Sequence, residues 1–149
     1  MINGYENITV LVISVKAPDR LKYTLGEKAE KVKWVLSDIT EFETRTTYSL
    51  WHDRATFHFL LTEGQVSKYL DIAKRSVKGF MTLGTFSEQG PKKCSGLQVT
   101  QYSEEKLQNR LVNGFEKIRC IHESHITPFN TTQNFLFCSF KSRLKDVRD

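Results

Sequence analysis

At 149 residues, with 39% hydrophobic and 26% charged side chains, the chain suits one globular domain with its own core and is short for two. No apolar run approaches the ~18 residues of a membrane helix, and no basic segment leads into an apolar one at the N-terminus, so neither a span nor a secretory signal is expected. The net charge of +5 is spread among acids along the chain, so it does not by itself point to a nucleic-acid partner.

Residues 8–14, ITVLVIS, form a near-continuous, β-branched apolar run, which predicts a strand buried on both faces of a parallel sheet. Pro18 stands where a helix can begin, residues 19–25 continue it, and Gly26 supplies a stop. Residues 31–37, KVKWVLS, predict a second strand that ends at Asp38, and residues 48–52, YSLWH, a third. Thr62 and Gln65 have the spacing of a capping box, followed by Val66, Tyr69, Leu70, Ala73 and Val77 at helical intervals.

Gly79 is expected to end that helix, and residues 80–86, FMTLGTF, to form a fourth strand. Residues 87–96, SEQGPKKCSG, read as a loop. Ser103 caps a short helix whose Leu107 and Leu111 face inward. Residues 115–122 and 133–140 predict two last strands around a turn at Pro128 and Asn130, and so short a connection makes them antiparallel.

The order is β-α-β-β-α-β-α-β-β, one domain over residues 1–142 with a basic tail at 143–149, read as a solvated terminus. Ligands of such sheets bind at the carboxyl ends of the strands. Those ends hold the polar candidates.

Asp38 and Ile39 follow a strand end, where a carboxylate can accept from an adenine amino group while the isoleucine covers the ring; equally, Asp38 can cap the next turn. Residues 51–58, WHDRATFH, carry the densest set of functional types. His52 or His58 could serve as a general base. Asp53 and Arg54 could instead pair at the surface, and the aromatics could be core. His122 and His125 are three apart on a strand and point to opposite faces, so no metal is expected. Cys94, Cys120 and Cys138 lack metal-ligand spacing and read as unpaired, mostly buried thiols of a reducing, cytoplasmic setting.

The stretches GYENITVLVIS, EKVKWVLSDITEF, YSLWHDRATFHF, GTFSEQGPKKCSGL and HITP, in this order, closely resemble segments of small class I S-adenosylmethionine-dependent methyltransferases of bacterial type. The corresponding family segments read much like GYENITVLDIS, EKVKWVLSDITEF, YDLWHDRAVFHF, ATFSEDGPEKCSGL and HxTP. The resemblance covers about residues 4–140. It implies a Rossmann-like three-layer α/β sandwich, mostly parallel, ending in the antiparallel pair.

In that family ITVLVIS resembles the second strand, so the first strand and its glycine-rich turn are expected to be missing. Val12 stands where the family has an acid that holds the ribose hydroxyls, a loss of roughly 1.5–3 kcal/mol per charge-assisted bond. By resemblance, Val12, Asp38, Ile39 and Trp51 line the cofactor, and His52, Asp53, Arg54 and His58 are the catalytic candidates. Residues 90–96, with Cys94, resemble an acceptor-side lid.

The resemblance implies methyl transfer from the sulfonium to a nucleophile by in-line displacement, with a small-molecule acceptor and no metal. Binding of S-adenosylmethionine is expected to be weak or absent. Two functions follow: an impaired methyltransferase, or a non-catalytic, truncated relative that acts as an interaction module. Self-association through the gap left in the sheet is expected, since apolar strand edges without a partner are costly. No membrane partner is expected, and a nucleic-acid partner is disfavoured.

Overall fold

A computed structural model describes residues 4–144, which fall into two compact units, the first ending at Glu43 and the second beginning at Thr44. The sequence had suggested one domain to residue 142; within the basic tail, residues 145–149 lie outside the described residues.

In the first unit, β1 (Ile8–Val12) runs parallel to β2 (Val32–Leu36), with Ile8 opposite Val32 and Val12 opposite Leu36. The two are linked by α1 (Ala17–Leu25) and a 3-10 turn, Gly26–Lys31. Pro18 pre-sets the first turn of α1, and Gly26 at φ 55° takes the chain out of it. β1 stops two residues earlier than expected. Ser14 already serves the next turn, its carbonyl accepting from the Ala17 N–H and its hydroxyl from the Lys16 N–H.

The expectation that this run is buried on both faces is not met, for every residue of β1 is only half-buried. Double burial requires a covering layer on each face, and α1 itself buries none of its residues.

In the second unit, β3 (Tyr48–Arg54) leads through a 3-10 turn, Phe57–Phe59, to α2 (Glu63–Ser76) and β4 (Val77–Phe86). A small hairpin, β5 (Lys93–Cys94) with β6 (Leu97–Gln98), precedes α3 (Glu104–Leu111), β7 (Phe115–Ile126) and β8 (Thr132–Ser142). The sheet order is β3-β4-β8-β7, with β3 and β4 parallel and β8 antiparallel to both β4 and β7. The mixed α/β architecture and the antiparallel closing pair are therefore as the sequence predicts.

The Thr62–Gln65 capping box forms in both directions, and Ser103 caps α3 through the Lys106 N–H. Gly79, expected to stop the helix, lies inside β4 instead. A Cβ there would stand 2.1 Å from the Ser49 carbonyl oxygen, so glycine permits the close approach of β3 at its register shift.

Strand register divides this sheet into two unlike faces. Trp51, Met81 and Phe140 share one row, and Asp53, Leu83, Cys138 and Cys120 the next. On this face Met81, Leu83, Leu136 and Phe140 are buried beneath the helices, whose own buried residues include Val66, Tyr69, Leu70, Ala73, Leu107 and Leu111. Each such side chain contributes roughly 1.5–3 kcal/mol of transfer free energy.

The opposite face carries Leu50 with Phe80, His52 with Thr82, and Arg54 with Gly84, Phe137 and Ile121. Leu50, Phe80 and Ile121 stay 39–49% exposed. One face holds the core; the other is largely open.

The cysteines depart from expectation. Cys120 and Cys138 are direct cross-strand partners on β7 and β8 and form a disulfide, leaving Cys94 as the free thiol among the described residues. The antiparallel register, invisible in the sequence spacing, brings the pair together. Among the described residues no helix is long and apolar enough to cross a membrane.

Candidate functional site

The segment WHDRATFHF is shaped first by a turn. Ala55 adopts φ 63° at the end of β3, and its N–H donates to the Gly84 carbonyl, 2.9 Å away. Asp53 Oδ1 accepts from the Thr56 N–H at 3.0 Å, an Asx-type closure of the same turn. The chain then folds back, so that Phe57 and His58 are fully buried.

Strand alternation separates the four catalytic candidates. His52 and Arg54 lie on the open face, whereas Asp53 lies on the helix-covered face and is buried. The Asp53 carboxylate accepts from the Tyr69 hydroxyl at 2.6 Å, and that hydroxyl accepts from Trp51 Nε1–H at 3.0 Å. Burial pushes the Asp53 carboxyl up from its ordinary value, against the lowering effect of the Tyr69 and Thr56 hydrogen bonds. The Tyr69 hydroxyl is pushed well up by burial and by the Asp53 charge. This Trp51–Tyr69–Asp53 chain ties β3 to α2.

On the open face, His52 Nδ1 is 2.6 Å from the Thr82 hydroxyl of the neighbouring strand. The Arg54 guanidinium crosses Gly84 to lie 5.4 Å from the Phe135 ring centre and 5.8 Å from that of Phe137. A side chain at residue 84 would collide with Phe137, so the glycine leaves room for these rings. His52 and Arg54 are exposed here, beside the half-buried Thr82 and Phe137, while Phe135 lies buried beneath the guanidinium.

His58 is separate from it. Its ring stacks on Phe86, Nδ1 accepts from the Phe86 N–H at 3.2 Å, and Nε2 has no partner. Burial lowers its pKa to about 4, so the ring is neutral at physiological pH.

The cofactor candidates also divide. Val12, Asp38 and Ile39 belong to the first unit, and Trp51 to the second. Asp38 caps the 3-10 turn Ile39–Glu41, its Oδ1 accepting from the Thr40 N–H at 2.8 Å and from the Thr40 hydroxyl at 2.7 Å. Ile39 is buried. Val12 ends β1, with its carbonyl accepting from the Ser37 N–H.

For S-adenosylmethionine these residues are an incomplete fit: Val12 offers no polar side-chain atom, and one Asp38 oxygen is engaged by its own turn. No group of three metal-binding side chains occurs among the described residues. Sequence reasoning passed over Tyr69, Thr82 and Phe135. Period-two alternation along β3 was the available signal, since it already places 52 and 54 opposite 53.

The fold is shared with known proteins at low sequence identity. The N-methyltransferase NodS from Bradyrhizobium japonicum, solved with S-adenosyl-L-homocysteine, superposes with a TM-score of 0.71 and 13% identity, over 93% of this chain and 67% of its own. The chain has the class I S-adenosylmethionine-dependent methyltransferase fold. TehB from Haemophilus influenzae gives 0.71 at 14% identity, over 97% of this chain but only 51% of TehB. A Burkholderia thailandensis 1,6-didemethyltoxoflavin-N1-methyltransferase, bound to its substrate and S-adenosylhomocysteine, gives 0.68 at 15%, over 91% and 61%. Neither a family model nor a curated protein matches the sequence. In this methyltransferase fold, β1 and β3 each pair on one side only and are edge strands of their sheets.

Proposed function

We propose that the chain is a methyltransferase-fold protein that takes up S-adenosylmethionine weakly and directs its methyl group to a small-molecule acceptor. The fold likeness carries this reading, as it extends over nine-tenths of the chain to proteins crystallised with the spent cofactor. Two of those neighbours are named as methylating nitrogen. In the first unit, Asp38 and Ile39 would face the adenine. His52, exposed and held by Thr82, is better placed to meet an acceptor than the enclosed His58.

Isothermal titration of the full chain tests it. A dissociation constant on the order of 0.1 mM or weaker is expected, about −5.5 kcal/mol, and Val12→Asp is expected to tighten it several-fold by restoring a ribose acceptor. A low-micromolar constant overturns the claim of weakness. An unchanged constant in Val12→Asp removes that residue from the ribose, and heat-silent titration up to millimolar cofactor overturns the enzyme reading.

The second reading, a non-catalytic interaction module, is favoured by edge strands such as β1 and β3 and by the apolar side chains left in water. Leu50 and Phe80 are exposed in one unit, and Ile13, Leu21 and Tyr23 in the other. Exposed edges of this kind recruit further strands. Static light scattering is expected to give a mass above that of one 17.3 kDa chain, rising with concentration. A monodisperse monomer at 100 µM or so, far above ordinary self-association constants of ~1 µM, would refute the association.

A further inference from the structure

We propose that the depression at the carboxyl end of β4 binds a small molecule through a protonated amine. The depression encloses about 340 Å³ and is lined by Ser87, Gln89, His122, Glu123, Ser124, Asn134 and Phe135. Ladder register builds it. Glu123 on β7 stands opposite Phe135 on β8, and Ser124 opposite Asn134, while the Ser87 N–H donates to the Asn134 carbonyl and docks the end of β4 beside them.

Its polar groups differ in what they have left to offer. The Asn134 amide is committed, its oxygen accepting from the Ser124 hydroxyl at 2.7 Å and its nitrogen donating to the Gln89 carbonyl at 3.1 Å. Two groups are not. The Ser87 hydroxyl is 1% exposed and has no hydrogen-bond partner. The Glu123 carboxylate takes part in none of the ion pairs formed among the described residues. Arg54 lies over the Phe135 and Phe137 rings and forms no ion pair with Glu123.

An uncommitted carboxylate and an uncommitted hydroxyl both accept. A ligand with several N–H donors and a positive charge would pair with the exposed Glu123 carboxylate, and a donor that reached the buried Ser87 hydroxyl would relieve the cost of leaving it without a partner. An anion would meet the Glu123 charge instead. The aromatic wall at Phe135 suits an apolar or aromatic group attached to the amine. Under the methyl-transfer reading the amine would be the methyl acceptor only after losing its proton to solvent, since the neutral nitrogen alone has the lone pair that displaces the sulfonium; its binding does not depend on that reading.

The test uses the full chain, labelled with nitrogen-15, and three probes of one shape: benzylamine, benzyl alcohol and benzoate. Benzylamine is expected to shift the amide signals of Ser87, Glu123 and Asn134 saturably. Benzyl alcohol should bind roughly fivefold more weakly, the scale of one exposed ionic contact, and benzoate more weakly still. Glu123→Gln should remove the preference for the amine while leaving the alcohol unchanged. Equal affinity for amine and alcohol, an undiminished preference in Glu123→Gln, shifts centred elsewhere, or no saturable shift would each overturn the proposal. Amine binding without cofactor uptake would keep this site and defeat methyl transfer; cofactor uptake without amine preference would do the reverse.

Discussion

Asp53→Ala is expected to lower the unfolding free energy by about 3 kcal/mol, the cost of leaving two donors without an acceptor at roughly 1–3 kcal/mol each, less the relief of removing a buried charge. The donors are the Tyr69 hydroxyl, which is fully buried, and the Thr56 N–H that closes the turn after β3. Asp53→Asn keeps an acceptor oxygen for the Thr56 N–H, turns an amide N–H toward the Tyr69 hydroxyl, which can accept it, and removes the charge that burial disfavours, so it should cost about 1–2 kcal/mol, less than alanine. Urea denaturation followed by circular dichroism reads the difference. An alanine variant as stable as the asparagine variant would mean that the Trp51–Tyr69–Asp53 chain does not hold β3 to α2. This contrast also separates structure from chemistry: loss of activity in Asp53→Ala with retention in Asp53→Asn marks a positioning residue, because the neutral amide preserves the geometry and lacks the charge.

Acidification is expected to destabilise the second unit through His58. The folded pKa of about 4 lies below the unfolded value near 6.5. Between these values the unfolded chain binds a proton that the folded chain refuses, so stability falls as pH drops through this window and is fully present above it. The shift corresponds to a loss of up to about 3 kcal/mol. Asp53 acts with the opposite sign. Its folded pKa is raised, so the folded chain takes up a proton before the unfolded one does, which offsets part of the loss at the acid end.

His58→Gln isolates the histidine, since an amide oxygen can still accept from the Phe86 N–H without titrating. The stability gap between parent and variant should shrink by about 2 kcal/mol between pH 7.5 and pH 4.5. A gap independent of pH would show that His58 is protonated as readily when folded as when unfolded.

How much of this was legible in the sequence can be seen element by element. The capping box at Thr62 and Gln65, the cap at Ser103 and the inward Leu107 and Leu111 were readable, because each depends on residues one or two helical turns apart. The antiparallel closing pair was readable from the length of its connection. The order of quoted stretches pointed to the methyltransferase fold, and the superpositions agree with it.

The site was less legible. WHDRATFH looked like a cluster because its functional types are contiguous, yet contiguity along a strand sends successive side chains to opposite faces. His52 therefore meets Thr82, 30 positions away, and Arg54 meets Phe135 and Phe137, 81 and 83 positions away, while Asp53 meets Tyr69.

Local chemistry determined where this chain caps, turns and alternates, since those choices are settled by the dihedral preferences and hydrogen bonds of neighbours in sequence. Tertiary structure alone decided which residues became partners. The register of β8 against β4 and β7 put Cys120 beside Cys138, Glu123 beside Phe135, and an open apolar face beside His52. Register is fixed by the summed burial of whole strands rather than by any one residue, and a slip of one position would have exchanged the two faces.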